Sequence, residues 1–576
     1  MIRYILSWHQ ASSQIINIEI QIPEAEAGVL TMQLPAWRPG RYELGNFARN
    51  ILRVQAYDAQ QNPLSIEKSS RETWQILLPA RGALTLRYNY YAAILNAGST
   101  YLSDDQLYVN PVNCFLFAKG KEQEPCEIQL ILPEGWKIAS GLEGGNQAGN
   151  ILSAPHFDRL ADSPFISSPS LKMHSCKIHN LDVYFWFQGE CKPDFERIEH
   201  DFTRFMNEQI LAYSEFPEKE YHFLFQITPH KSYHGVEHEN STVCMIGPSY
   251  NVFKEGYDHL LGLSSHEFYH SWNIKKIRPV EMLPYDFARE NYFRTGYVAE
   301  GVTTYMGDIM LFRANVFSQT QFFECVHEWL NKHFHNYARF NMSVSEASFD
   351  MWVDGYDPGV PHRKTSIYNE GALLAMMLDI LIIQLSEGKY GLDDVMKSLY
   401  INFAKRGIGY SEMDYVNTVE HFAGCSMKPF FEKYVWGIDD FEPLLASTLR
   451  HVGLSMHISP SRELYERNYG IKLSEDSGKI AMIAPESPAF FAGMQPGETI
   501  ATINGMSINS NIRQWFDYFN GDPLHLRTKT ADNRVRVFDL PPASANYFPD
   551  YSLNVNDELM PSQLKFFERW TKNRLH

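Results

Sequence analysis

The 576-residue chain is poor in cysteine and short of positive charge. Its seven cysteines are scattered, odd in number and without a C-x-x-C pair, so they supply neither a disulfide framework nor a thiolate metal site; a reducing, cytoplasmic setting is expected. Lys and Arg total 51 against 68 Asp and Glu, a formal charge of -17 that repels polyphosphate and argues against nucleic acid or an anionic membrane as the main partner. Long hydrophobic runs are also missing. The most apolar stretch, Ala372 to Leu385, carries Asp379 and Gln384 and is too short for a bilayer, which predicts a buried helix and no transmembrane segment. At the start, MIRYILSWHQ, the apolar run after Arg3 is broken by His9 and Gln10 and no small-residue cleavage site follows, so a first strand is expected rather than a signal peptide. There is no internal repeat and no low-complexity segment. What is present, 44% hydrophobic and 14% aromatic residues, suffices for about three or four domains.

The segment LGLSSHEFYHSWN contains an H-E-x-x-H run, His266, Glu267 and His270. On a helix, residues four apart differ by about 40° in rotation and ~6 Å in rise, so both imidazoles leave one face and can share a metal ion. Glu267 then lies beside that ion, where the base of a zinc peptidase belongs. A catalytic zinc takes three protein ligands and leaves the fourth position to solvent, so a third ligand is required. Glu300, in GYVAEGVTTYMGDIML, is the best-placed candidate, with Glu281, Glu290 and Asp308 as alternatives. Pro279 and Pro284 allow the intervening chain to loop back. The plainer reading of Glu300 is a charge capping a helix. His259 is expected to be a partly buried structural histidine, since a fourth protein ligand would close the site.

Residues 1–165 show short alternating runs such as INIEIQI, TWQILL, LTLRYNYYAAI and CEIQLIL, separated by turns at Pro39-Gly40, Arg81-Gly82 and Gly144-Gly145, which predicts an all-β domain, a sandwich. In 166–455 two further strands, DVYFWFQG and YHFLFQI, flank a helical stretch, and beyond residue 255 the period is helical throughout. A small sheet followed by a helical lobe is the build of a thermolysin-like catalytic domain. Residues 456–545 have strand-like runs punctuated by Gly and Pro, a small β module. Residues 546–576 form a tail in which PSQLKFFERWTKNR can make an amphipathic helix with Leu564, Phe567 and Trp570 on one face. The fold class expected is multidomain α+β.

With these segments in view, the chain resembles the glycyl aminopeptidases, family sixty-one of the metallopeptidases, which belong with the thermolysin-like gluzincins. PAWRPGRYELGNFARNI, Pro35 to Ile51, is similar to the family's Pro-x-Trp-x-Pro-Gly-Ser-Tyr signature, with Arg41 in place of Ser. SHEFYHSWNIKKIRP resembles the zinc helix, and VAEGVTTYMGD resembles the family's Glu-Gly-Phe-Thr segment, which implies Glu300 as third ligand. His234-Gly235-Val236-Glu237-His238 is similar to a Gly-Gly-x-Glu-His segment along the substrate cleft, with His234 for the first glycine; by resemblance Glu237 binds the substrate α-amino group, with Gly235 and His238 beside it. A carboxylate exposed on an edge strand is the alternative. Tyr368, in SIYNEGALLAMMLD, matches the second tyrosine of a Ser-Tyr-Tyr-x-Lys-Gly segment, where Ile367 and Glu370 replace the first tyrosine and the lysine. Its hydroxyl is then an oxyanion donor, although an aromatic residue at the start of a buried helix is commonly core packing.

Around Gly470 to Leu473 and SPAFFAGMQPGETIATINGM the C-terminal module looks like a PDZ domain, whose groove implies a peptide or a C terminus as partner. The resemblance implies one zinc ion and hydrolysis of the N-terminal peptide bond of peptides with a free N terminus, glycine or alanine preferred. An endopeptidase of the same fold is the nearest alternative, and a catalytically inactive peptide-binding scaffold a more distant one.

Overall fold

The computed structural model describes residues 1–145, 149–356, 360–474, 478–543 and 545–575. Among them no helix is long and apolar enough to cross a membrane. The first part of the chain builds an 11-stranded sheet and a 4-stranded sheet. Its longest strand, Ile15–Ala25, lies antiparallel between Ile2–Ser7 and Gly82–Tyr91. Strict alternation turns Ile16, Ile18, Ile20 and Ile22 inward, as a half-buried strand requires.

The small sheet, made of Lys137–Ser140, Phe165–Ser168, Leu107–Val109 and Tyr101–Leu102, is buried on both faces. Leu107, Val109, Ile138 and Phe165 join the main core, while Tyr108, Ala139 and Ile166 pack on Leu224, Val236 and Val243 of the next sheet. That contact fixes the β domain against the next sheet.

The next sheet has 5 strands, in the order Lys172–Ile178, Leu181–Gln188, Glu220–Ile227, Ser241–Gly247, Ser232–Glu237. The reading of two strands between residues 170 and 230 missed Lys172–Ile178, a polar edge strand without hydrophobic alternation. Helix Phe195–Tyr213 crosses between two parallel neighbours. The last strand, Ser232–Glu237, is antiparallel to its neighbour and forms the sheet's edge.

Beyond this sheet the chain is helical. Tyr257–Tyr269 packs against Thr303–Arg313, and Asn369–Leu385 fills the centre with an almost wholly buried surface. The two capping-box residues Ser318 and Gln321 start the long helix Gln319–His335. Gly301 and Gly371 face each other so closely that a Cβ on Gly301 would meet the Gly371 Cα at 2.3 Å, which brings the Glu300 turn onto the start of Asn369–Leu385.

The C-terminal module has its own core, with Ile471, Ile500, Ile503, Phe516 and Leu526 among its residues. It leaves and rejoins the helical lobe through an antiparallel ribbon, Leu454–Ser459 with Asp550–Val555. Lys472 reaches the lobe at His335 Nδ1, 2.7 Å away. The final helix, Pro561–Thr571, buries Phe567 and Trp570, but Leu564 is exposed, so the apolar face of this helix is narrower than the sequence suggested. Trp570 Nε1 donates to Tyr305 Oη at 2.7 Å, behind the helix that follows Glu300.

Candidate active site

Helix Tyr257–Tyr269 ends at His270, and its final turn carries His266 and Glu267. The Nε2 atoms of His266 and His270 approach to 3.0 Å, and Glu300 Oε2 lies 3.8 Å and 3.4 Å from them. Glu300 sits in a π-helical turn, Tyr297–Val302, that widens the backbone just before helix Thr303–Arg313. Such a turn re-aims one side chain without breaking the helix and is frequent at functional sites. Neither Glu281, Glu290 nor Asp308 joins the group formed by His266, His270 and Glu300.

The donor set fits a zinc ion. Two imidazole nitrogens and one carboxylate oxygen converge, leaving room for a fourth ligand. The carbonyl of Asn273 accepts from His270 Nδ1 at 2.6 Å, which turns the Nε2 lone pair toward the cluster. Asn273 also donates to the Val298 carbonyl at 2.8 Å and to Thr303 Oγ1 at 3.1 Å, tying the end of the histidine helix to the Glu300 turn. The Tyr42 hydroxyl, from the β domain, donates to Glu300 Oε1 at 2.9 Å, so the other carboxylate oxygen is left for the cluster.

Charge points the same way. Glu237, Glu267 and Glu300 surround the two imidazoles in a buried space, and Glu237 Oε1 and Glu267 Oε2 have no hydrogen-bond partner among the described residues. Burial first, with Glu237 and Glu300 adding to it and His270 opposing, pushes the Glu267 carboxyl up to about 8. Burial disfavours charge on the His270 imidazole, and Glu300 and Glu237 more than offset it, so the site around this ring favours positive charge. Burial would also lift the Glu300 carboxyl, yet His270 and His266 hold it down at about 2. Negative charge gathered at this density is what a divalent cation neutralises.

The edge strand brings Glu237 and Gly235 to the cluster. A Cβ on Gly235 would lie 1.9 Å from Glu267 Oε1, so only glycine lets the strand pass this close. Gly40, at φ +81°, lies against the Glu237 carboxylate; a Cβ there would sit 2.3 Å from Oε2. The tip of the Pro39-Gly40 turn therefore closes the cleft over Glu237. Rather than being exposed on the edge, Glu237 is 4% accessible. Arg38, in the same turn, is buried among these groups. Burial, then Arg38 and Arg41, lowers the His234 imidazole to about 4, so His234 contributes bulk and no charge at neutral pH.

His238 does not line the cleft. Its Nδ1 lies 3.1 Å from Asp162 Oδ1, which also accepts from the buried Lys275 ammonium at 2.7 Å. Burial would raise the Asp162 pKa, but Lys275 and His238 more than offset this and hold it well below the usual carboxylate range. Asp162 thus links the β domain to the chain after Glu237 and the chain after His270. The Tyr368 ring lies over His266, with centroids 6.4 Å apart, and its hydroxyl is 3.3 Å from that of Tyr356. Tyr356 in turn lies under Arg41, whose guanidinium is 5.0 Å from the ring centroid.

The cleft is a cavity of about 1120 Å³ that takes in Gly40, Glu237, His266, Glu267, Glu300 and Tyr368. Contrary to expectation, His259 is exposed, on the cleft wall with its ring 5.9 Å from that of Tyr233. It lies almost two turns before His266. Sequence reasoning missed Tyr42, Asn273, Asp162, Lys275, Arg38 and Tyr356. Arg38 and Tyr42 lie inside the recognised Pro35 to Ile51 signature, and Asn273 and Lys275 inside the segment that resembles the zinc helix, so a signal was available for these four; Asp162 and Tyr356 carried none.

Comparisons with known proteins point to one family. The family profile described as the Peptidase M61 N-terminal domain matches residues 3–169, and that described as M61 glycyl aminopeptidase matches residues 259–374. Among solved structures, an aminopeptidase N family protein from Idiomarina loihiensis shares the fold, with a TM-score of 0.90 at 24% identity over 99% of this chain and 100% of that one. An M1 zinc metallopeptidase from Deinococcus radiodurans aligns over 76% of this chain and 94% of its own at 11% identity, with a TM-score of 0.48, too low to carry an argument. No curated protein matches the chain.

Proposed function

The chain belongs to the M61 glycyl aminopeptidase family and is a metallopeptidase, and on that premise we propose that it is an aminopeptidase with one zinc ion, removing the first residue of peptides with a free N terminus, glycine or alanine preferred. The observation that carries this reading is Glu237: a buried carboxylate with an unpartnered oxygen, grouped with Glu267 and His270 and covered by the Gly40 turn. A blind end with a carboxylate in it suits an ammonium group. It leaves little room for chain before the first residue.

His266, His270 and Glu300 would hold the zinc ion, which would supply Lewis acidity to the scissile carbonyl and to the attacking water. Glu267 takes the water's proton and passes it to the departing amine nitrogen. The Tyr368 hydroxyl donates to the carbonyl oxygen as negative charge develops on it. Glu237 accepts from the α-ammonium and sets the register. Tyr42 and Asn273 keep Glu300 and His270 in place without touching substrate.

The C-terminal module we read as PDZ-like, and its groove, between Ile471–Leu473 and helix Ile512–Tyr518, as the place where a peptide or a C terminus would add.

The test is a pair of peptides that differ only in acetylation of the first amine. We expect acetylation to reduce kcat/KM by about a hundredfold or more, since it removes the charge that Glu237 anchors. Equal cleavage of the two peptides replaces the aminopeptidase by an endopeptidase.

A further inference from the structure

The edge strand Ser232–Glu237 measures out the cleft in steps of two residues, about 7 Å each. Glu237 stands at the amine end, Gly235 lies over Glu267, and Tyr233 turns the same way one step further on, toward His259. The cleft floor keeps the same order. Glu300, Thr304 and Asp308, four residues apart, all line the cavity, so Asp308 lies about 12 Å along the helix from the cluster. Gly262, one turn before His266, has its Cβ position 3.8 Å from Asp308 Oδ1. Trp329 of helix Gln319–His335 adds to the wall.

The chemistry of this far end is asymmetric. Asp308 receives a hydrogen bond from Cys325 and, among the described residues, has no ion-pair partner. Lys332, the nearby cation, is paired with Glu328. Burial, with Glu328 adding to it, holds the Asp308 carboxyl up at about 7, the mark of an anion short of a counter-charge. Across the cavity the Tyr233 ring is 59% exposed, an open aromatic face. The same cavity contains the partnerless oxygens of Glu237 and Glu267, so a peptide passing them comes next to Tyr233 and Asp308.

We propose that Tyr233 and Asp308 form the subsite for the residue after the scissile bond and select lysine or arginine there, the cationic head meeting Asp308 and the stem lying along Tyr233. The spacing matches: a substrate side chain leaving the backbone near Glu267 needs the length of a lysine or arginine to reach a carboxylate two helical turns from Glu300. Cation and ring add a second attraction that a neutral side chain of the same length lacks.

This inference rests on the aminopeptidase reading, and the test separates the two. The peptides Ala-Lys-Ala-Ala, Ala-Met-Ala-Ala and Ala-Glu-Ala-Ala are compared by kcat/KM on the wild type and on Asp308→Asn. The expected result is a lysine-over-methionine ratio of about ten in the wild type, falling toward one in Asp308→Asn, with glutamate last in the wild type. A wild-type ratio near one, or a ratio that survives Asp308→Asn, overturns the subsite while leaving the aminopeptidase intact. Should Asp308→Asn fail to fold, the wild-type order decides, and any order other than lysine, methionine, glutamate overturns the proposal. Failure to cleave any of the three removes the aminopeptidase reading and this inference with it.

Discussion

Glu267→Gln is expected to lower kcat by about 10²–10⁴-fold, the range for a lost general acid–base group, while leaving the fold and the metal in place. The substitution preserves the shape that Gly235 packs against and removes only the ability to take a proton. Steady-state rates beside metal content and a thermal melt check this. Activity within a few-fold of wild type, with zinc retained, assigns the proton transfer to another group.

Glu237→Gln tests the register. Glutamine keeps the volume under Gly40 and the hydrogen-bonding atoms but not the charge, so the α-ammonium meets a neutral amide in a desolvated pocket. An expected loss of about 10- to 100-fold in kcat/KM follows from the usual worth of a hydrogen bond to a charged group, with KM carrying most of it. The preference for free over acetylated peptides should shrink by the same factor. A loss confined to kcat, with that preference unchanged, places the amine elsewhere in the cleft.

Much of this site was legible in the sequence because its parts are local. His266 and His270 are four residues apart on one helix, and that spacing alone brings two imidazoles together. Glu300 was legible for a related reason: a required third ligand had few acidic candidates on a nearby helical segment. The same local logic read the strands of the β domain from alternation, and Asn369–Leu385 from an apolar stretch too short for a membrane.

What the sequence withheld is tertiary. Tyr42 reaches Glu300 across 258 residues, and Asp162 reaches Lys275 across 113, so no window along the chain contains either pair. Asn273 is near His270 in sequence, but its role depends on the Glu300 turn returning to it. His238 was misleading for the opposite reason. It follows Glu237 directly, yet it lies just past the end of the strand Ser232–Glu237, where the chain turns and carries it to Asp162 instead of the cleft. The π-helical turn at Glu300 leaves no mark in composition either.

The whole account depends on a metal ion shared by His266, His270 and Glu300. Its most direct test is the zinc content of the purified protein beside that of Glu300→Ala, measured with peptide hydrolysis before and after chelation. The account predicts one zinc per wild-type chain, hydrolysis lost on chelation and restored by zinc, and a metal-free, inactive Glu300→Ala protein that is still folded. Hydrolysis that persists in metal-free wild type, or stoichiometric zinc retained by Glu300→Ala, contradicts it.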